Sequence, residues 1–115
     1  MFRFEQLEIW RLAVDYAKDC YRIADNFPKY ETYALGDQLR RATISISNNI
    51  AEGSVGSMAN FKKYLNVAIA STLETVNILN FAYEIKYLKL KDKEEMYEKA
   101  ERLIRKIRNF SKSLQ

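Results

Sequence analysis

The amino-acid sequence predicts an all-α protein, an antiparallel up-down-up-down bundle of four helices. Its 115 residues contain one proline and three glycines, too few for a fold built of many short strands and turns. Apolar residues recur at steps of three and four in four consecutive segments, as on the buried face of a helix. The joins between these segments are short, which favours antiparallel neighbours. The length fits a single domain over residues 1–115.

The first helix is predicted to end at Pro28, which lacks a backbone donor. Two neighbouring apolar rows cover a wider arc of this helix than one bundle core buries. The surplus predicts a second buried surface, and therefore self-association. Cys20 falls on one row and is interpreted as a core residue. The rows are Leu7, Trp10, Val14, Ala17, Tyr21 and Ala24, and Ile9, Ala13, Tyr16, Cys20, Ile23 and Phe27.

The second helix is predicted from about Tyr33 to Ala51, with Gly53 as a left-handed cap. Ile44 and Ala51 lie nearly opposite the core row, where a monomer would face water. Apolar residues in that position again favour self-association. The core row is Leu35, Leu39, Ala42, Ile46 and Ile50, and the polar row is Gln38, Arg41, Ser45, Asn48 and Glu52.

The third helix is predicted over residues 57–88, with a serine as its N-cap, and the fourth from residue 92 onward. Glu74 stands among the apolar residues of the third helix, so we expect it to be buried. An unpaired buried carboxylate costs several kcal/mol. We therefore predict an ion pair between Glu74 and Arg40 or Arg41.

The composition argues against catalysis and metal binding. The chain has no histidine and one cysteine, so the commonest general base and the multi-cysteine zinc sites are lacking. The serines have no histidine to activate them, although a Ser–Lys pair is compatible with the spacing. We predict no enzyme activity, no metal and no cofactor. No apolar run is long enough to cross a membrane, and a single thiol is typical of a cytoplasmic protein.

The formal charge of +4 is concentrated in residues 102–115, which carry five basic side chains and no acid. Cations at the end of a helix complement its dipole, which is one interpretation of this cluster. The other is an anion-binding surface, whose field would grow if copies of the chain assemble. On that interpretation the phosphates of RNA or DNA bind to Arg102, Arg105, Lys106 and Arg108, with Lys62 and Lys63 as weaker candidates.

The second helix also carries a distinctive pattern. Its runs are Gln38-Leu39-Arg40-Arg41-Ala42, Ser45-Ile46 and Asn49-Ile50-Ala51-Glu52-Gly53. Further matches are Leu7, Trp10, Pro28, Tyr33, Leu35, Phe61, Leu65, Ala68, Ser71 and Glu74. The pattern resembles the family of four-helix-bundle proteins encoded within 23S rRNA intervening sequences. The accessory protein of diversity-generating retroelements is similar.

The resemblance implies an antiparallel bundle that assembles as a homopentamer and associates with RNA or the ribosome. Its retroelement relatives bind nucleic acid and a reverse transcriptase through a basic surface. A second reading is therefore a module that docks a reverse-transcriptase-like or other protein without touching nucleic acid. The chain has Val55-Gly56 and Ile69-Ala70 where the family often has arginine, and both departures remove positive charge. We predict roles in structure or subunit contact for a set of polar residues, namely Gln38, Arg40, Arg41, Asn49, Glu52 and Glu74.

Overall fold

The computed structural model describes residues 1–114 and consists of four long helices and two short 3-10 helices. No strand occurs in that part of the chain. The predicted all-α class with four helices is confirmed. One 3-10 helix, Arg3–Gln6, precedes the first long helix, and the other, Lys29–Glu31, precedes the second. The long helices are α1 (Glu8–Asp25), α2 (Leu35–Gly53), α3 (Met58–Glu84) and α4 (Leu90–Ser113).

Ion pairs between α1 and α4 give the relative direction of these two helices. Glu8, at the start of α1, lies 3.4 Å from Lys106 near the end of α4. Asp19, further along α1, lies 2.7 Å from Lys99, which comes earlier in α4. From the first pair to the second, the position moves forward along α1 and backward along α4, so these two helices are antiparallel. They fit the predicted up-down-up-down order.

The core lies where the apolar periodicity predicts it. Leu39, Ile46 and Ile50 of α2 are fully buried, as are Leu103 and Ile107 of α4. These residues recur every three or four positions, so one face of each helix turns inward. Cys20 is also fully buried, which confirms its interpretation as a core residue.

A polar layer crosses the middle of this core. The Tyr16 hydroxyl lies 2.7 Å from Thr75 Oγ1. Thr75 Oγ1 donates its own hydrogen to the Thr72 carbonyl at 2.6 Å, so Tyr16 is the donor in the first bond. Thr72 Oγ1 in turn donates to the Ala68 carbonyl at 2.8 Å. The layer joins α1 to α3 without leaving these buried hydroxyls unpaired.

Burial of the Cys20 thiol makes the stability of the protein depend on pH in the alkaline range. Burial raises the pKa of the Cys20 thiol to about 12, whereas the pKa of a thiol in the unfolded chain is about 8.5. The unfolded chain therefore loses this proton first, and the free energy of unfolding falls as pH rises through that window. We expect Cys20 to contribute a slope of at most about 1.4 kcal/mol per pH unit. Urea unfolding under reducing conditions at several alkaline pH values measures it.

The control for this prediction is Cys20→Ala. Burial also raises the pKa of Tyr16, and the neighbouring Cys20 adds to this shift, so the difference between the two proteins reports the thiol together with its effect on Tyr16. The variant should be less stable at neutral pH and lose less stability on alkalinisation. Parallel pH curves for the two proteins would contradict the prediction.

Several helix ends differ from the sequence prediction. α1 ends at Asp25, three residues before Pro28, and α2 begins at Leu35, two residues after Tyr33. The third helix was expected to reach residue 88, but α3 ends at Glu84 because Lys86 adopts a left-handed backbone with φ of 69°. This turn lets the Tyr87 amide donate to the Ala82 carbonyl at 2.8 Å, a closing bond usually associated with glycine. The fourth helix begins at Leu90, ahead of the expected residue 92.

Gly53 does not form the predicted left-handed cap. α2 continues through Gly53 to a right-handed C-cap at Ser54, and no glycine of residues 1–114 has a positive φ. A Cβ atom at Gly53 would lie 2.8 Å from both Phe61 Cδ1 and Tyr64 Cβ. The position therefore requires glycine because α2 and α3 approach closely there. The predicted N-cap of α3 is confirmed, since Ser57 Oγ accepts from the Asn60 amide at 3.2 Å.

Candidate nucleic-acid interface

One end of the bundle brings together the start of α1, the α2–α3 turn and the end of α4. Arg3 Nη1 donates to the Ser54 carbonyl at 3.3 Å, and the rings of Phe61 and Phe110 lie 5.4 Å apart. We call residues 1–11, 52–63 and 105–114 the basic end. They contain eight Arg or Lys side chains and three Glu, whereas the rest of the chain has eleven basic and twelve acidic residues.

Five of the six predicted phosphate-binding residues lie at the basic end. Arg105 and Arg108 are exposed near the end of α4, and Lys62 and Lys63 are exposed in the first turns of α3. Lys106 is half-buried and pairs with Glu8 at 3.4 Å, so part of its charge is already neutralised. The two groups, far apart in sequence, therefore lie at the same end of the bundle, where the neighbouring Phe61 and Phe110 rings meet.

Arg102 lies apart from this surface. It lines a cleft between α1 and α4 together with Asp15, Asp19 and Lys99. Asp19 accepts from Lys99 at 2.7 Å and also pairs with Arg22. The carboxylates in this cleft counter the charge of Arg102, so it is the weakest of the predicted candidates.

The start of the chain adds two arginines that the sequence reasoning did not select. The Arg3 guanidinium lies 5.3 Å from the centre of the Phe61 ring, and the Arg11 guanidinium lies 5.0 Å from the Trp10 ring. Both arginines are exposed. Arg3 belongs to the basic end because the 3-10 helix at residues 3–6 packs on the α2–α3 turn. Arg11 belongs to it because the start of α1 lies beside the end of α4, where Glu8 pairs with Lys106. A sequence window that counts local charge does not detect this.

Three aromatic rings form a continuous group beside these arginines. The Phe2 and Phe4 rings stack with centroids 6.1 Å apart and an interplanar angle of 9°. Phe4 meets Trp10 edge-on at 5.3 Å. Phe2 is 70% exposed, and Phe4 and Trp10 are half-buried. Trp10, part of a predicted apolar row, packs against the core, whereas Phe2 leaves the outer side of this group in solvent.

A polar network runs along α2, where the distinctive sequence pattern lies. Asn49 Nδ2 donates to the Ser45 carbonyl at 2.7 Å and lies 3.2 Å from Ser45 Oγ. Ser45 Oγ lies 2.9 Å from Ser71 Oγ on α3. Asn49 thus supports a contact between α2 and α3. Gln38 and Glu52 are exposed on the same helix.

The predicted ion pair of Glu74 is wrong. Arg40 pairs with Asp25 at 2.9 Å, and Arg41 pairs with Asp37 at 3.0 Å. Glu74 itself is exposed, so it needs no buried partner. The error arises because α3 carries apolar residues on its outer face as well as its inner face.

Two further features of residues 1–114 bear on function. No helix there is long and apolar enough to cross a membrane. Nor do three or more Cys, Asp and Glu side chains of these residues gather in an arrangement that could hold a metal ion.

Comparisons with known proteins identify the family. A solved structure from Bacteroides thetaiotaomicron, described as a protein with unknown function from the S23 ribosomal protein family, superposes with a TM-score of 0.79. It is 19% identical, and the match covers 91% of this chain and 99% of that one, so it shows a shared fold. Among curated proteins none matches. The model of the 23S rRNA-intervening sequence protein family matches residues 5–109. The chain belongs to this family.

Proposed function

We propose that this protein is a non-enzymatic, cytoplasmic binding or scaffold protein that holds RNA, alone or within a ribonucleoprotein, at the basic end. The observation that carries the proposal is the convergence of eight basic and three acidic side chains at one end of an otherwise balanced bundle. Phosphates neutralised by exposed Arg and Lys release counterions, which favours binding. Such contacts position the RNA and read little of its sequence.

The proposal includes self-association, with a homopentamer as the assembly that the family resemblance implies. Its support is the apolar surface that one copy leaves in water. Val67, Leu73 and Phe81 on α3 are 46%, 52% and 52% exposed, and Ile44 on α2 is 41% exposed. Several copies would multiply the basic surface and its field. Light scattering that shows a stable monomer at micromolar concentration would contradict this part of the proposal.

Salt dependence of RNA binding tests the mechanism. We expect a fluorescein-labelled oligouridylate to bind with a log–log salt slope of about −3, as for contacts with about four phosphates of a single strand. Fluorescence anisotropy titrations between about 50 and 200 mM salt measure this slope.

Failure would take one of two forms. A flat salt dependence would contradict phosphate neutralisation. Absence of RNA binding at low salt would contradict the function itself, and would favour the alternative of a module that docks a reverse-transcriptase-like or other protein partner.

A further inference from the structure

The aromatic group of Phe2, Phe4 and Trp10 gives the basic end a feature that phosphate neutralisation does not use. Phe2 is the outer ring of a stacked pair, and it is 70% exposed. An exposed ring keeps apolar area in water, which is unfavourable until a ligand covers it. The group therefore has an open face on which a further planar ring can stack.

The cations around the group indicate the chemistry of that ligand. Arg11 lies over Trp10, and Arg3 lies between the 3-10 helix and the α2–α3 turn. Glu5 is the acid nearest in sequence, and its Oε1 already accepts from the Phe2 amide at 2.9 Å. Planar rings bordered by arginines match a ligand with alternating flat apolar groups and negative charges. An apolar protein surface would remove water from those arginines without offering them a negative charge.

We propose that the basic end binds single-stranded nucleic acid, with unpaired bases stacked on Phe2 and beside Trp10, whose ring Arg11 covers, and with phosphates held by Arg3 and Arg11. This inference rests on the proposed function and names its ligand class. In a duplex the base faces are stacked on one another, whereas a single strand offers them to aromatic side chains. Every base has such a face, so the contact requires no particular sequence.

The intrinsic fluorescence of the protein reports this contact directly, because Trp10 is its single tryptophan. The 115-residue chain is titrated with oligouridylate, oligoadenylate, single-stranded DNA of matched length, a duplex of that length, and inorganic polyphosphate. We expect all three single strands to quench Trp10. The duplex and polyphosphate should bind in a salt-dependent way without quenching.

Substitution at Phe2 provides the second measurement. Stacking on one ring is lost in Phe2→Ala, so binding of oligouridylate should weaken about tenfold while polyphosphate binding stays unchanged. Phe2→Tyr should retain wild-type affinity, since it keeps the ring. The matched control is Tyr33→Ala, which removes an aromatic side chain that is 94% exposed just before α2, at the other end of the bundle. It should bind like the wild type.

The outcomes separate this inference from the proposed function. Salt-dependent RNA binding without quenching of Trp10, and with Phe2→Ala unaffected, would overturn the stacking mode and leave phosphate binding intact. Absence of all binding would overturn both. A lower mass of Phe2→Ala in light scattering would assign the rings to contact between copies of the chain, and would also overturn the inference.

Discussion

Replacing Arg105 and Arg108 together by glutamate is expected to weaken RNA binding on the order of 100-fold at low salt. Both side chains are exposed, and neither takes part in an ion pair within residues 1–114. The double reversal changes the basic end from eight basic and three acidic residues to six and five. The field that attracts phosphates is then nearly cancelled.

The salt slope gives a second, independent readout of this variant. Each lost phosphate contact makes the negative log–log salt slope shallower by about 0.7 for a single strand, so two lost contacts make it shallower by about 1.4. Fluorescence anisotropy with labelled oligouridylate measures both quantities. The substituted residues are on the surface but near the end of α4, where cations complement the helix dipole, so urea unfolding should show a loss of stability of no more than about 1 kcal/mol.

The matched control reverses two charges at the opposite end of the bundle. Lys89 and Lys91 are exposed at the start of α4, and their replacement by glutamate changes the net charge by the same amount. Acidic residues at this helix end also suit its dipole, so folding should not suffer. We expect the control to bind RNA nearly as well as the wild type. An equal loss in both variants would mean that total charge, and not the basic end, governs binding.

The sequence predicted the helices well because burial on one face repeats at the helical period. Leu39, Ile46 and Ile50 are read as one row in the sequence and are fully buried together in the structure. The ends were predicted less well, since they depend on backbone geometry that residue type indicates only weakly. Lys86 takes the left-handed position at the end of α3, where glycine is the usual residue.

Apolar neighbours in sequence also misled the reading of α3. Glu74 appeared to be buried because hydrophobic residues surround it along the chain. The outer face of α3, however, also carries apolar side chains that are about half exposed, namely Val67, Leu73 and Phe81. Periodicity alone does not tell a buried face from an apolar face that awaits a partner.

The candidate interface was predicted only where it is local in sequence. The charges of residues 102–115 stand out by counting, whereas Arg3 and Arg11 are separated from them by almost the whole chain. Arg3 joins the basic end through its bond to the Ser54 carbonyl, and Arg11 through the packing of α1 beside α4, where Glu8 pairs with Lys106. Such a juxtaposition requires the tertiary structure.

The close approach of α2 and α3 makes Gly53 the position where the smallest substitution should cost the most. Gly53→Ala gains about 1 kcal/mol of helix propensity, but its Cβ would lie 2.8 Å from Phe61 Cδ1 and Tyr64 Cβ. The Phe61 ring is 1% exposed and Tyr64 Cβ is fixed to the backbone of α3, so the helices must separate. Overpacking costs about 1–3 kcal/mol or more, and the gain in helix propensity offsets part of it, so we expect a net loss of up to about 2 kcal/mol for alanine and of about 3 kcal/mol for Gly53→Val.

Gly56→Ala is the control for this series, because it adds the same methyl group three residues later in the same turn. Its Cβ would meet Asn60 Cβ at 3.4 Å, an ordinary contact, and Gly56 has no positive φ. Restricting the unfolded chain should leave this variant as stable as the wild type or about 0.5 kcal/mol more stable. Urea unfolding of the three variants measures the order. A Gly53→Ala protein as stable as Gly56→Ala would show that close helix approach does not account for the glycine that ends the Asn49–Gly53 run.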